Sequence, residues 1–441
     1  MLAVCAQTTR PAPFPTPVTR THKLDRTPTS LMPVAPVWTL VLRNQLTVPP
    51  AYDDAHAFFS IEGDRVVAYE LSSGTRTWIV SARPQVEPTT GDGLVFLVEP
   101  GTLTARYAAN GSIAWQLPLA EKLIVHLVFD NGWLVAATEG GEILAFRATD
   151  GRLIWRREIM SPAHALPALA ADRVYVPTDD GRIVALRVET GEPLWERRLG
   201  GPADEILAQV DRLFVGSEDN YFYSLMTKDG RVDWRWRTGG DVIGLPVADE
   251  HRVYFVALDN VLRALDRVSG GQHWMRPLPL RPMTGPVRSG STIVVTGQAV
   301  PLHAYEANDG AVSTAPGTIA PGAPAPAPPK STAPPGDSVI KVPAIPIGPT
   351  SVVPVTKPQE PPDITSSSAE PWVDITTDAE IAAPPHALVD PRTGLPMLLL
   401  ITRDIARGAA ATLVMRSFEP VISPVNPLPN VITFGPPTTT K

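Results

Sequence analysis

Tryptophan recurs along this chain with a period of about 40 residues, and no other feature limits the possible folds so strongly. Seven tryptophans are separated by 40, 37, 40, 40, 39 and 40 residues: Trp38, Trp78, Trp115, Trp155, Trp195, Trp234 and Trp274. A fixed period of about 20 to 50 residues is typical of chains that repeat one supersecondary unit. The sequence therefore predicts a repeat protein.

Two further positions keep the same period. A glycine lies four residues before the tryptophan position of each unit: Gly74, Gly111, Gly151, Gly191, Gly230, Gly270 and Gly310. A small residue lies six positions before each glycine: Ala68, Ala105, Ala145, Ala185, Ser224, Ala264 and Ala304. Three residue types at fixed mutual spacing indicate that every unit has the same local structure.

The fourth unit illustrates this local structure. Residues 173–177 form a short run of β-prone residues, and Asp179-Asp180-Gly181 is a hairpin turn signal. Residues 182–187 alternate with period two, as in a half-buried strand, and a second glycine turn leads into the strand of Trp195. Residues 165–168 supply an innermost strand. Four short antiparallel strands per period predict an all-β fold, a β-propeller of four-stranded blades.

The repeated residues are expected to dock one blade on another. Tryptophan buries a large flat surface, and its ring N–H requires a partner. The small residue would leave room for a ring from the next blade, and the glycine would shape the turn that aims the tryptophan. We interpret all these positions as structural and not as ligand-stacking residues.

The two ends of the repeat predict how the ring closes. Trp38 has no small residue or glycine upstream, so it belongs to the last strand of a blade whose other strands lie elsewhere. The seventh unit has Ala304 and Gly310 but Thr314 in place of tryptophan. Residues 398–404 and 411–418 could form a hairpin of an eighth blade that the Trp38 strand completes, which closes the circle and removes open edges. The alternative has seven blades, in which Trp38 completes the unit around Ala304.

The chain divides by composition into four segments. The predicted domains are residues 1–33, a disordered segment that could be the remnant of a secretory signal; 34–314, the propeller blades; 315–371, a Pro-rich low-complexity insertion; and 372–441, a degenerate final blade and tail.

Net charge and cysteine content bear on two features, nucleic-acid binding and disulfide bonds. The net charge of −7 gives no indication of a nucleic-acid binder. The only cysteine is Cys5, so no intrachain disulfide can form. Leu2-Ala3-Val4-Cys5 loosely resembles a lipidation motif, which makes Cys5 a candidate lipid attachment site, although the basic and hydrophobic regions of a signal are missing. An ordinary disordered start is the alternative.

Candidate ligand residues lack a catalytic or metal-binding pattern. The eight histidines form no paired motif, and Asp179, Asp180, Glu218 and Asp219 lie in predicted turns. We therefore predict no catalytic, cofactor-binding or metal site. Basic pairs follow several blade tryptophans, Arg156-Arg157 and Arg197-Arg198 among them, and are interpreted as solvated outer-strand residues or as a rim for acidic partners.

The pattern Ala-x5-Gly-x3-Trp resembles the repeat of the pyrroloquinoline-quinone (PQQ) enzymes, and residues 185–195 match it closely. One branch of that superfamily comprises quinone-dependent dehydrogenases with a calcium or lanthanide site and commonly an adjacent cysteine pair, which one cysteine cannot supply. The other branch comprises non-catalytic, eight-bladed periplasmic lipoproteins similar to the propeller component of the bacterial outer-membrane β-barrel assembly machinery.

The resemblance implies a non-enzymatic scaffold of the cell envelope that binds protein through rim loops as a monomeric subunit of a complex, without a cofactor and without nucleic acid. Membrane attachment would require only a lipid anchor. The alternatives are a quinone-dependent dehydrogenase and an extracytoplasmic sensor or polysaccharide-binding propeller.

Overall fold

The computed structural model describes residues 29–42, 44–123, 125–297, 302–313, 379–390, 392–404 and 412–420. Their strands form eight four-stranded antiparallel sheets, and these residues contain no helix. The described part accordingly holds no helix that could span a membrane. The predicted all-β propeller is confirmed, with eight blades and not seven.

Each blade runs from its innermost to its outermost strand in chain order, except the last. The strands of blades 1 to 4 are β2 Ala51–Tyr52, β3 His56–Ile61, β4 Arg65–Glu70, β5 Arg76–Ser81; β6 Thr89–Gly91, β7 Leu94–Glu99, β8 Thr102–Tyr107, β9 Ile113–Pro118; β10 Val128–Asp130, β11 Trp133–Ala137, β12 Glu142–Arg147, β13 Leu153–Glu158; β14 Ala168–Ala170, β15 Arg173–Pro177, β16 Arg182–Arg187, β17 Pro193–Arg198.

Blades 5 to 7 follow the same order, and blade 8 combines strands from both ends of the chain. The strands are β18 Ala203–Ala208, β19 Arg212–Ser217, β20 Tyr221–Met226, β21 Val232–Arg237; β22 Val242–Ala248, β23 Arg252–Ala257, β24 Val261–Asp266, β25 Gln272–Pro277; β26 Val287–Ser289, β27 Thr292–Val295, β28 His303–Glu306, β29 Val312–Ser313; β30 Ala379–Val389, β31 Pro396–Asp404, β32 Thr412–Pro420 and, outermost, β1 Val34–Leu42.

The middle strands of the blades are buried on both faces. In β16, the four residues 183–186 are buried, although the alternating sequence predicts a half-buried strand. The reason is that each blade lies between two neighbouring blades, so residues on both faces of a middle strand pack against another sheet. Only the two end residues of the strand, Arg182 and Arg187, are partly exposed, so the alternating sequence does not correspond to a solvated face.

Each repeat tryptophan contacts the following blade in two ways. The indole N–H of Trp155 donates a hydrogen bond to the carbonyl oxygen of Val188 at 2.6 Å. The same ring lies against Gly191, where an added Cβ would lie 2.7 Å from ring atoms. Equivalent N–H donors and carbonyl acceptors are Trp38 and Leu71, Trp78 and Ala108, Trp115 and Ala148, Trp195 and Thr227, Trp234 and Arg267, and Trp274 and Ala307.

In the six units that have both residues, the small residue lies opposite the tryptophan of its own blade. Ala145 pairs with Trp155 in the register of β12 and β13, and Ala185 pairs with Trp195 in β16 and β17. A β-bulge follows each of these pairs and re-aims the outer strand. The expectation of a ring from the next blade is therefore corrected: the room left by alanine is used by the blade's own tryptophan.

Three of the arginines that follow a blade tryptophan also join neighbouring blades. Arg157 and Arg197 donate Nε hydrogen bonds to the carbonyl oxygens of Gly191 and Gly230 at 2.8 and 2.7 Å. Arg276 makes the same contact with Gly310. These side chains are thus part of the blade interface, which neither interpretation of the basic pairs predicts.

The ring closes in blade 8 as the sequence predicts. β1 pairs with β32 from Val34 opposite Pro420 to Leu42 opposite Leu413, and Trp38 lies opposite Ser417. The predicted hairpin of residues 398–404 and 411–418 corresponds to β31 and β32. The predicted Pro-rich insertion, 315–371, lies outside the described residues.

A short N-terminal segment seals the junction between blades 7 and 8, where the tryptophan is missing. Leu31 is fully buried in a cluster with Val294, Leu398 and Phe418. Its N–H donates a hydrogen bond to the Thr292 hydroxyl at 2.9 Å. Residues 29–33 therefore pack with the propeller, although the sequence assigns them to a disordered segment.

Replacing Gly191 by alanine should lower the free energy of unfolding by about 2–5 kcal/mol, because the methyl group meets Trp155 and the backbone φ is +69°. The matched control is Gly101, whose φ is +72° but which has open space around it. Gly101→Ala should cost only about 1–2 kcal/mol, the cost of the backbone conformation. Urea unfolding monitored by circular dichroism measures both, and equal losses would show that the ring contact does not stabilise the fold.

Replacing Leu31 by alanine should destabilise the protein by about 2–5 kcal/mol, since it leaves a cavity at the junction of blades 7 and 8. Val37, an exposed residue of β1, supplies the control, and Val37→Ala should change stability by about 0.5 kcal/mol or less. Thermal unfolding measures both variants. If Leu31→Ala and Val37→Ala have the same melting temperature, the N-terminal segment does not seal the ring.

Candidate functional site

The central channel contains a large cavity. Its volume is about 1140 Å³, and it lies beside the innermost strands of blades 5 to 8. The walls come from β18, β22, β26 and β30 and from residues 281–286, which belong to the segment between blades 6 and 7. A cavity of this size is large enough for a ligand or a peptide segment.

Irregular inner strands shape this cavity. The register of β18 shifts between Ala203 and Ile206, and that of β22 shifts between Ile243 and Val247. β30 contains two such irregularities. Because a bulge takes residues out of the ladder, Asp204 and Glu205 of β18 are able to line the cavity.

The carboxylates of the channel repel one another. Burial and the nearby charge of Asp204 raise the pKa of Glu205, although a backbone hydrogen bond from Leu245 opposes the shift. Burial, followed by the charge of Glu205, raises the pKa of Glu87 from 4.5 to about 7. Glu87 precedes β6 of blade 2, so groups from different blades act on one another.

The histidines near these carboxylates favour their neutral forms. Nδ1 of His126 lies 3.9 Å from a carboxylate oxygen of Glu87. Burial lowers the pKa of His126 while the pKa of Glu87 is raised, so both groups shift towards neutrality and the contact is a weak ion pair at most near neutral pH. The ring of His386 stacks on Tyr52 with centroids 3.9 Å apart, and burial lowers its pKa to about 4.

The rim at one end of the channel carries exposed apolar side chains. We call it the connection rim, and define it by the blade-to-blade segments 159–167 and 278–286 and by the hairpin 258–260. Met160 and Met283 on this rim are 83% and 59% exposed, and Leu245 inside it is 43% exposed. The opposite end, the turn rim, is formed by turns such as 188–192 and 209–211, and it exposes Val210.

The residues that the sequence singles out lie away from the cavity lining. The tryptophan, glycine and small-residue positions lie between blades, and Cys5 lies outside the described residues. Asp179 and Glu218 are in the predicted turns, where His164 lies between them at 2.9 and 3.3 Å. Within the described ranges, no three His, Cys, Asp or Glu residues are placed to hold a metal ion.

The channel residues Tyr52, Glu87, Asp204, Glu205 and His386 were missed by the sequence prediction. They belong to or adjoin inner strands of unequal length, from two residues in β2 to eleven in β30. The periodic pattern does not extend to these strands. The one available signal was the presence of adjacent carboxylates in the short inner run of the fifth unit.

Comparison with known proteins gives the family and the fold. A family model described as outer membrane protein assembly factor BamB matches residues 34–125, 101–210 and 207–319, which together span more than half of the chain. No curated protein matches the sequence.

Solved structures resemble the chain at low sequence identity. BamB from Moraxella catarrhalis is 21% identical, with a TM-score of 0.54 over 64% of this chain and 90% of that one. The computationally designed Ika8 protein is 14% identical, with a TM-score of 0.55 over 64% and 89%. Quinohemoprotein alcohol dehydrogenase ADHIIG from Pseudomonas putida HK5 is 12% identical, with a TM-score of 0.57 over 92% and 79%. At these identities the likenesses show the fold alone.

Replacing Glu87 by glutamine should stabilise the protein relative to the wild type, and this gain should be larger at pH 8 than at pH 5. The folded state binds the Glu87 proton more tightly than the unfolded state, because the pKa rises from 4.5 to about 7. The wild type therefore loses stability as the pH rises through that interval, and the variant lacks this loss. Melting temperatures at pH 5 and pH 8 test this, with exposed Glu62→Gln as control. An unchanged pH dependence in Glu87→Gln would contradict the assigned environment.

Proposed function

This chain belongs to the family described as outer membrane protein assembly factor BamB, and from that premise we propose that it is a non-enzymatic propeller that binds and positions proteins of a bacterial cell envelope. It would act as a monomeric subunit of a larger complex. The proposed partners are components of outer-membrane protein assembly or the chains on which they act.

The observation that carries this proposal is the exposed apolar surface of the connection rim. Met160 and Met283 are exposed on two different blade-to-blade segments, and Met283 and the partly exposed Leu245 both line the cavity. Exposed apolar side chains around a concave opening are typical of protein-binding surfaces. Methionine adapts its shape to different partners, which suits a scaffold.

We further propose a periplasmic location, at or near the outer membrane. Membrane attachment would occur through a lipid on Cys5 and would leave the propeller in the aqueous phase. Mass spectrometry of the protein isolated from its host membrane tests this, since a diacylglyceryl group on Cys5 adds a defined mass. An unmodified Cys5 in a protein recovered only from the soluble fraction would contradict the anchor.

A quinone-dependent dehydrogenase is the second candidate, favoured by the likeness to the quinohemoprotein alcohol dehydrogenase over most of this chain. The channel does supply carboxylates, Glu87, Asp204 and Glu205. Two of them carry raised pKa values, which is unfavourable for calcium ligands because a bound cation requires the ionised form. The residues fit such a site poorly, and we derive no step through a quinone.

The rim can be tested by capture from envelope extracts. Purified protein should recover components of the outer-membrane assembly machinery, and the double variant Met160→Glu with Met283→Glu should recover about tenfold less. The expected loss follows because each substitution places a charge in an apolar contact. Val210→Glu on the turn rim is the matched control and should bind as the wild type does.

Other outcomes of the same experiments would replace the proposal. Recovery of polysaccharide instead of protein would favour a glycan-binding propeller. Dye-linked dehydrogenase activity after reconstitution with PQQ and Ca²⁺ would establish the enzyme and overturn the non-enzymatic function.

A further inference from the structure

Met160 on the connection rim is an exposed apolar residue in an unfavourable backbone conformation. Its φ is +64°, in the left-handed region that residues with a Cβ rarely adopt. Its side chain is 83% exposed, so contacts with the described residues offset little of this cost. At the corresponding positions of blades 4 and 5, five residues after the tryptophan, the chain has Gly200 and Gly239. The methionine therefore contributes little to the fold, and its presence points to a role at the surface.

Exposure of the other methionines decreases away from this rim. Met283, which is 59% exposed, lies on the same rim, and Met275 on the outer strand of blade 6 is 40% exposed. The remaining methionines that the structure describes are partly or fully buried: Met32, Met226, Met397 and Met415. Among the described residues, the two most exposed thioethers are thus on the surface for which protein binding is proposed.

The backbone on both sides of Met160 is held by the propeller. The N–H of Ile159 donates a hydrogen bond to the carbonyl oxygen of Gly141 at 3.0 Å. Ile159 and Ala163 are buried, and Ala163 pairs with Thr178 in an isolated β-bridge. A chemical change at the Met160 sulfur therefore alters the surface of the rim and leaves these anchoring contacts in place.

An exposed thioether sulfur is open to oxygen transfer from a dissolved oxidant. The product, methionine sulfoxide, is polar, and reductases convert it back to methionine. Because the oxidant has to reach the sulfur from water, Met160 and Met283 should react before the buried methionines. A sulfoxide on an apolar binding surface must lose its hydration when a partner docks, which weakens the contact.

We propose that Met160 and Met283 are sites of reversible oxidation, at which hydrogen peroxide or another two-electron oxygen donor converts the connection rim from an apolar to a polar surface and releases bound protein. The proposal rests on the proposed protein-binding function and specifies how binding at that rim is regulated.

The oxidation step needs only the thioether and the peroxide. A lone pair of the Met160 Sδ atom attacks one peroxide oxygen, an S–O bond forms, and the O–O bond breaks. The second oxygen leaves as water, so the sulfur is oxidised by two electrons and the peroxide is reduced. A sulfoxide reductase reverses the change: its dithiol becomes a disulfide, and the sulfoxide oxygen leaves as water.

Mass spectrometry of the folded protein tests the sites. During treatment with hydrogen peroxide, Met160 and Met283 should gain one oxygen atom about tenfold faster than buried Met397, because the oxidant reaches their sulfurs directly. In guanidinium chloride, where the fold is lost, the three rates should become alike. Equal rates in the folded protein would overturn the proposal.

Capture from envelope extracts tests the effect on binding, with each protein compared with its own untreated sample. Peroxide should reduce capture by the wild type about tenfold, and a sulfoxide reductase should restore it. The double variant Met160→Leu with Met283→Leu has no sulfur at either position, so peroxide should leave its capture unchanged. Met275→Leu is the matched control and should lose capture as the wild type does. A double variant that responds to peroxide as strongly as the wild type would overturn the proposal.

The two experiments also distinguish this proposal from the proposed function. If the untreated wild type captures the assembly machinery and the oxidised protein captures it equally well, the proposed function stands and the regulation by oxidation fails. If the untreated protein captures no envelope protein, the proposed function fails and so does its regulation. Selective oxidation of Met160 and Met283 in the mass-spectrometric experiment would then still identify the modification sites.

Discussion

The hydrogen bond from an indole N–H to a carbonyl of the next blade, together with the close contact of the same ring with a glycine, is the interaction on which the ring depends. Trp115 and Trp274 make it on opposite sides of the circle with similar geometry. Because the ring approaches the backbone directly, the blade spacing is set by the thickness of an aromatic ring against a residue without a side chain. Each junction between two blades then fixes the position of the next blade, and the eight junctions together define the channel.

One junction has no tryptophan, and the residues that replace it show what the tryptophan does at the other junctions. Between blades 7 and 8, Leu31 and Phe418 fill the space, and the Thr292 hydroxyl provides the hydrogen-bond acceptor for a backbone N–H. The same requirements of apolar volume and a satisfied polar group are met by residues from three distant parts of the chain. The junction therefore keeps the spacing of the ring without keeping the repeat motif.

Ring closure by strands from both ends of the chain could be predicted from the sequence, because Trp38 has no upstream glycine and Gly310 has no downstream tryptophan. Eight blades were favoured, but the same two features also fit seven blades with Trp38 in the unit of Ala304, and the structure decides for eight. The partner of each repeated alanine was not predicted correctly, since sequence spacing does not distinguish the tryptophan of the same blade from that of a neighbour. The channel was not predicted because its residues obey no period. Glu205 lies in a bulge, and Tyr52 and His386 meet only because the first and last inner strands are neighbours in the ring.

The pairing of β1 with β32 also has a consequence for biosynthesis. A ribosome produces Val34 early and Pro420 near the end, yet the two residues are neighbours in one sheet. Blades 1 to 7 can form while the chain is being made, but the circle stays open, with unpaired strand edges, until the last strands emerge. Any chaperone that attends this protein would therefore be needed longest at the chain's beginning, where β1 waits for its partner.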